Sequence, residues 1–427
     1  MENVAALRIL GAIIALLVGL RLLLACLAEF DARRRAAESF KLLRTEQHLR
    51  VEQHALALKT RQGELELGWN GYRNFTVERI DRNENQSGSV SSFYLTPRDG
   101  KVLPFFQPGQ FLTFRLRIPN QPKDVVRCYS LSDAYDPQRY RISVKKVPDG
   151  LVSGYLHEEI NEGDILDVRK PSGKFFADLA DPTPIVLIAG GVGVTPLLSM
   201  CNSIIEQQPE REIYFFFANQ NGDEVVQREH LEALCQSRAN FHLAFCYSLP
   251  TERDAALVGS TVGGSVLHRA GYMNLALLQE ILPSGAQESY PFYICGPGPM
   301  MDAVEGSLAT WKVPAENVHL EAFGAKSVAA IKPAAVGAEA AASELQVCFK
   351  KSQKTVTWSS ESGSLLELAE KNGIVLESGC CVGDCGTCQV PVRSGEVEYL
   401  RDPSENPEAG SCLLCIAVPK TDLDLDA

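Results

Sequence analysis

Ser378-Gly379-Cys380-Cys381-Val382-Gly383-Asp384-Cys385-Gly386-Thr387-Cys388 sets Cys380, Cys385 and Cys388 at C-x4-C-x2-C, and Gly410-Ser411-Cys412-Leu413-Leu414-Cys415 adds a distant fourth thiol, Cys415. That is the ligand spacing of a [2Fe-2S] cluster. A tight loop has to wrap two irons while turning several thiolates inward. Gly379, Gly383 and Gly386 let the backbone turn sharply and bring amide N–H groups close to the sulfurs. Cys381 and Cys412 fit neither position and read as spare small buried residues. A zinc site and a disulfide framework are the rival readings. The glycine pattern weighs against zinc, and the reduced-compartment character of the remaining chain weighs against disulfides.

A chain of 427 residues is too long for one core and implies two to four domains, and 45% hydrophobic residues suffice to build them. The net charge of -12 argues against a nucleic-acid partner. Residues 344–427 carry a charge of roughly -7, against a slightly positive first 66 residues. An acidic face suits docking to a basic patch on an acceptor, although acidity also serves solubility alone.

Residues 4–28 are almost wholly apolar, broken only by Gly11, Gly19, Arg8 and Arg21, and are long enough to cross a bilayer as a helix. The Val, Leu and Ile residues at roughly -0.3 to -0.6 kcal/mol each outweigh two arginines at about +3 each, and the arginines can snorkel. Leu23-Leu24-Ala25-Cys26 loosely matches a lipoprotein cleavage site, but the positive n-region is reduced to Arg8, and an uncleaved anchor is the expectation. Arg33-Arg34-Arg35 follows the span, so the positive-inside rule puts the rest of the chain in the cytoplasm. Residues 31–67 are rich in Ala, Glu, Gln, Arg and Leu, contain no Pro, and read as a helical stalk on the order of 50 Å long.

From Tyr72 the texture changes to short alternating strands, among them Phe75-Thr76-Val77, Ser92-Phe93-Tyr94-Leu95, Phe111-Leu112-Thr113-Phe114-Arg115-Leu116 and Tyr140-Arg141-Ile142-Ser143-Val144. Turns such as Pro97-Arg98-Asp99-Gly100 separate them, and the pattern predicts an antiparallel barrel. Within it, in order, come Pro108-Gly109-Gln110-Phe111, Arg127-Cys128-Tyr129-Ser130, Gly150-Leu151-Val152-Ser153 and Gly163-Asp164 with Pro171-Ser172-Gly173-Lys174-Phe175. This set resembles the ferredoxin–NAD(P) reductase superfamily, most closely the flavohaemoglobin reductase module. The resemblance implies that Phe111 and Tyr129 contact the isoalloxazine, that Ser130 approaches the reactive flavin edge, and that Arg127 neutralises phosphate. It also places the amides of Gly150, Val152 and Ser153, at a helix start, on the pyrophosphate, a use of helix N-terminal donors with sound physical grounds. FAD is the implied flavin; the R-x-Y-S strand serves FMN as well.

Pro184-Ile185-Val186-Leu187-Ile188-Ala189 reads as a buried strand. It runs into Gly190-Gly191-Val192-Gly193-Val194-Thr195-Pro196 and an apolar helix pattern beginning at Leu197. Strand, glycine turn and helix start form a dinucleotide site, since only glycine admits a pyrophosphate so close to the backbone. G-G-x-G-x-T-P is the form this superfamily carries, so Gly190, Gly191, Gly193, Thr195 and Pro196 are the expected contacts. Further strands at Ile213-Tyr214-Phe215-Phe216-Phe217 and Phe241-His242-Leu243-Ala244-Phe245, with helices between, predict a parallel α/β sheet. Cys295-Gly296-Pro297 resembles the C-G-P loop whose Cys lies near the nicotinamide. Glu321-Ala322-Phe323-Gly324 resembles the terminal E-x-F-G whose aromatic covers the flavin. Glu321, Phe323, Ser130 and Cys295 are thereby placed on the hydride path; Cys295 as a covalent nucleophile lacks a companion base. Ala218-Asn219-Gln220-Asn221 and Tyr247-Ser248 offer no cation for a 2′-phosphate, which favours NADH; Arg253 keeps NADPH open.

Beyond an Ala-rich tether, Leu345-Gln346-Val347-Cys348-Phe349, Thr355-Val356-Thr357-Trp358 and a helix around residues 364–369 resemble a plant-type ferredoxin with an α+β, β-grasp fold. The expected organisation is an anchor at 1–30, a stalk at 31–67, an FAD-binding barrel at 68–180, an NAD-binding α/β domain at 181–324, a linker at 325–343 and a ferredoxin domain at 344–427. The order of modules resembles phthalate-dioxygenase-type and hybrid-cluster-protein reductases. It implies an NADH-dependent reductase passing single electrons from FAD through [2Fe-2S] to a separate protein acceptor, expected to be a membrane-associated oxygenase of desaturase or hydroxylase type. A hybrid-cluster-type or quinone acceptor, or a redox sensor with structural cofactors, are the alternatives.

Overall fold

The computed structural model describes residues 68–69, 71–259, 261–262, 266–323, 344–379, 381, 383, 385–400, 403 and 407–427. The expected anchor, stalk and linker lie outside them. Among the described residues no helix is long and apolar enough to cross a membrane.

The first six strands are β1 (Arg73–Asp81), β2 (Val90–Pro97), β3 (Phe111–Leu116), β4 (Val125–Ser130), β5 (Tyr140–Lys145) and β6 (Ile165–Val168), with helix α1 (Leu151–Glu158) before β6. They form an antiparallel sheet in the order β4-β3-β6-β1-β2-β5. A bridge between Leu131 and Ile142 joins its two outer strands, so the sheet closes on itself. The period-2 apolar residues explain the closure: Phe75, Val77, Phe93, Leu95, Leu112, Phe114 and Ile142 all point into one core.

The next segment alternates β7 (Ile185–Gly190), α2 (Val194–Gln207), β8 (Ile213–Asn219), α3 (Arg228–Ser237), β9 (Phe241–Tyr247), α4 (Glu252–Leu257), β10 (Thr261–Val262), β11 (Val266–Ala270), α5 (Leu275–Ile281), α6 (Ala286–Ser289), β12 (Phe292–Cys295), α7 (Gly298–Thr310) and β13 (Val318–Glu321). Six strands are parallel in the order β11-β9-β8-β7-β12-β13, and β10 adds antiparallel to β11. Both faces are covered, which is why β7 and β8 are nearly continuous apolar runs: Leu187, Phe215 and Phe217 enter one core, Val186, Ile188 and Phe216 the other. The strand order reverses between β7 and β12, the place where open α/β sheets bind ligands.

The last unit holds β14 (Leu345–Phe349), β15 (Lys354–Trp358), α8 (Leu365–Lys371), β16 (Gln389–Ser394), β17 (Val397–Tyr399), β18 (Ser411–Leu413), β19 (Ala417–Pro419) and β20 (Leu423–Leu425). Its main sheet runs β15-β14-β20-β16-β18 and is mixed, β14 and β20 being parallel. Ser364 caps α8: its Oγ accepts from the Glu367 amide at 3.3 Å while Glu367 Oε2 accepts from the Ser364 amide at 2.7 Å. That cap aims Leu365, Leu366 and Leu368 at the core.

The flavin and nucleotide domains are pinned together at Asp133. Its carboxylate accepts from Asn202 Nδ2 of α2 at 2.7 Å and pairs with Arg141 at 3.2 Å, and its carbonyl accepts from Ser199 Oγ at 2.8 Å.

Candidate functional site

A cavity of about 920 Å³ opens where the three folded parts meet. The flavin domain contributes Phe111, Arg127, Tyr129, Ser130, Gly150, Val152 and Ser153. Thr195, Glu321 and Phe323 enter from the nucleotide domain, and Ser378, Gly379 and Cys381 from the loop that precedes the cysteine pair Cys385 and Cys388.

On the barrel side the sheet register sets Phe111 directly opposite Ser130. Tyr129 packs edge-on to Phe114 at 5.8 Å, and burial holds its phenol well above the usual range, so it is a neutral wall. Arg127 is exposed, with Nη1 donating to the Val126 carbonyl at 2.7 Å. Gly150 is the N-cap of α1, where the first-turn amides lack intrahelical partners. Ser153 Oγ accepts from the Val147 amide at 3.1 Å, and a Cβ on Gly150 would stand 2.6 Å from that oxygen. The Gly150 amide, expected on the diphosphate, instead donates to the Val147 carbonyl at 3.0 Å, so it is the first-turn amides after it that fit the anionic diphosphate of FAD.

On the nucleotide side, Gly190 and Gly193 are glycines for a reason other than the expected one. A Cβ on Gly190 would sit 2.5 Å from Met300 Sδ, and one on Gly193 would sit 2.3 Å from the Cys295 carbonyl oxygen. Gly296 is equally confined: a Cβ there would sit 3.0 Å from Gly190 Cα. The turn after β7 and the Cys295-Gly296-Pro297 loop after β12 therefore pack back to back across the reversal in strand order. Gly191, at φ +52° with nothing within 4 Å of its would-be Cβ, is the glycine that leaves room for a ligand. Thr195 Oγ1 donates to the Val192 carbonyl at 3.0 Å, and Pro196 is buried in the first turn of α2. Asn219, at the C-terminal end of β8, is 8% exposed, and neither its Oδ1 nor its Nδ2 has a protein partner. A buried carboxamide left this way fits a ligand hydroxyl, and the nicotinamide nucleotide is the ligand the sheet's C-terminal edge takes.

Cys295 does not line the cavity; it is wholly buried behind it. Burial, then the neighbouring Glu321 carboxylate, holds its thiol well above the usual range, which removes it as a nucleophile. Phe323, 42% exposed, stands at the cavity wall. Gly324 lies outside the described residues.

In the ferredoxin domain Cys385, Cys388 and Cys415 are all buried. Cys388 and Cys415 bring their sulfurs to 3.2 Å, while Cys385 Sγ lies 3.2 Å from Thr387 Oγ1. Cys380 lies outside the described residues, and among these no three ligating side chains are grouped as a metal cage. The donor set is thiol alone, and Gly383, at φ +82°, leaves only 2.4 Å between a would-be Cβ and Ile416 Cδ1, so the loop is tight as a cluster requires. Cys412 is fully buried, as expected. Cys381 is not: it is half-buried, sits at φ +57° and lines the cavity. The loop turns there, and its side chain, packed against the edge of the core, also reaches the cavity wall. Sequence reasoning also passed over His319, Asp302 and Glu305, which line the cavity from β13 and α7, because no spacing rule marks a wall formed by remote elements.

Three domain families match the chain: an Oxidoreductase FAD-binding domain over residues 78–176, an Oxidoreductase NAD-binding domain over 187–306, and a 2Fe-2S iron-sulfur cluster binding domain over 349–420. The flavohemoprotein of Halalkalibacterium halodurans is 38% identical over 263 residues, 60% of this chain and 61% of that protein. That of Bordetella pertussis is 38% identical over 267 residues, 61% of this chain and 63% of that protein. This chain thus spans less than two thirds of the length of either relative. Among solved structures, the flavohem-like FAD/NAD-binding domain of the Vibrio cholerae nitric oxide dioxygenase superposes with a TM-score of 0.51 at 30% identity, over 60% of this chain and 100% of that one. Phthalate dioxygenase reductase shares the fold across 84% of this chain and 98% of its own, at 23% identity and a TM-score of 0.50. The chain is therefore an NAD(P)H-dependent flavin reductase, an FAD- and NAD-binding ferredoxin-reductase module like that of the flavohemoproteins, followed by a C-terminal 2Fe-2S ferredoxin domain.

Proposed function

We propose that this reductase takes electrons from NADH and delivers them one at a time, through its iron–sulfur domain, to a separate protein acceptor. The observation that carries the reading is the shared cavity: the flavin strand β4, the end of β13 and the cluster loop all line one space. Bound FAD would accept a hydride and release single electrons, which a [2Fe-2S] cluster takes singly.

The residues divide the remaining work. Tyr129 and Phe111 would wall a bound flavin ring and exclude water. Ser130 would offer it a hydroxyl. The first turn of α1 and Arg127 would hold the diphosphate. Phe323, at the cavity wall, would cover the ring, and Glu321 lines the same space. NADH is favoured over NADPH because the end of β8 offers a neutral carboxamide, Asn219, where a 2′-phosphate would need a cation.

An oxygenase acceptor is supported by the company the fold keeps. Phthalate dioxygenase reductase is described as a modular structure for electron transfer from pyridine nucleotides to [2Fe-2S]. A type IV self-sufficient cytochrome P450 monooxygenase, 22% identical, shares the fold over 83% of this chain and 41% of its own, with a TM-score of 0.54. The apolar stretch at residues 4–28 would hold the enzyme on the membrane by a single span, catalytic domains in the cytoplasm, and anchoring both partners raises their effective concentration. In the full-length holoprotein, NADH should reduce both ferricyanide and cytochrome c. Cys388→Ser should abolish cytochrome c reduction while ferricyanide reduction persists. Equal loss of both, or of neither, contradicts the reading.

A further inference from the structure

Among the described residues, two side chains of the flavin domain bond the backbone of the iron–sulfur domain: Arg169, which lies outside the cavity, and Lys174, which stands on its wall. Arg169 directly follows β6, and its amide donates to the Thr113 carbonyl at 2.9 Å, so its root extends the barrel ladder. Its Nη1 donates at 2.8 Å to the carbonyl oxygen of Cys385, a contact between residues 216 positions apart. The head group is held in place: it lies 5.8 Å from the centre of the Tyr72 ring, which Arg115 approaches to 4.2 Å, and Arg115 is tied to Asp167 at 2.7 Å. Lys174, in the turn next to Gly173, donates at 2.7 Å to the Pro403 carbonyl. Between these points Gly379 touches β4: a Cβ there would be 3.0 Å from Val126 Cγ1 and 2.9 Å from Cys385 Sγ. Only a glycine fits between strand and thiol.

Each folded part has its own buried core, so these contacts are not what keeps either part folded. They fix where the two parts meet. We infer that Arg169 and Lys174 are positioning residues, a latch that holds the iron–sulfur domain in register with the flavin domain, and that electron transfer between the two sites depends on it. The inference rests on the electron path proposed above.

The test uses the full-length holoprotein and the variant Arg169→Ala, whose side chain lies outside the cavity, with Arg169→Lys as the conservative partner that keeps a cationic donor. After anaerobic mixing with NADH, flavin bleaching should keep its rate in Arg169→Ala while the subsequent cluster reduction slows at least tenfold, and Arg169→Lys should recover most of it. Hydrogen exchange should show faster deuterium uptake across Val125–Ser130 in Arg169→Ala and not in Arg169→Lys, with the cluster's electron paramagnetic resonance unchanged. Unchanged transfer, unchanged exchange, or either effect without the other overturns the latch. A native protein whose flavin bleaches without any later cluster reduction refutes the electron path instead, and the exchange data still judge the contact by itself.

Discussion

Asn219 shows how a single residue can declare a ligand. Burying a carboxamide with neither end bonded costs roughly 1–3 kcal/mol, and the cost is relieved only by a group that arrives from outside the protein. Asn219→Ala should therefore raise KM for NADH about tenfold, equivalent to ~1.4 kcal/mol, while kcat for ferricyanide reduction holds and the resting enzyme is no less stable. Steady-state kinetics with NADH, together with thermal unfolding, check both halves. Nothing in the tetrapeptide Ala218-Asn219-Gln220-Asn221 announces this role; the sequence shows only the absence of a cation, because whether a side chain finds a partner depends on the turn of strands brought beside it. The reactive-looking Cys295 makes the converse point. Its place in a C-G-P loop is legible, but its complete burial is decided by Gly193, more than a hundred positions earlier in the chain.

Elements were more legible than residues, because apolar period is a local property. β3 and β14 begin and end as the alternation predicts, at Phe111–Leu116 and Leu345–Phe349. Helix α2 starts at Val194 rather than Leu197, since Gly191–Gly193 form a tight 3-10 turn that hands directly into it. The short β10–β11 hairpin was missed: two residues of β10 are too few for any periodicity. The glycine turn itself divides into two kinds of position, and this can be measured. Gly193→Ala forces a Cβ against the Cys295 carbonyl and should cost about 1–3 kcal/mol, a drop of several degrees in thermal unfolding. Gly191→Ala meets nothing and pays only the left-handed backbone, about 1 kcal/mol; its larger effect should fall on NADH affinity, read by titration. The reverse ranking in stability would show that the two loops do not pack as described.

At the scale of the whole molecule the order of modules is plain in the sequence, while the seams between them are not. Asp133 is an unremarked loop residue in the sequence, yet it joins the barrel to α2 through Asn202 and Ser199 and balances Arg141, which is 8% exposed. Asp133→Ala should destabilise the paired domains by about 1–2 kcal/mol, a value discounted because the carboxylate is partly open to water, and should lower the urea midpoint with retained secondary structure. The seam at Arg169 and Lys174 is of another kind. Both donors end on peptide oxygens, at Cys385 and Pro403, and so read the path of the main chain rather than the chemistry of any side group. Evolution can then repaint the outer surface of the iron–sulfur cartridge to suit a new client without disturbing its socket, and grafted cartridges with the same backbone trace inherit the fit.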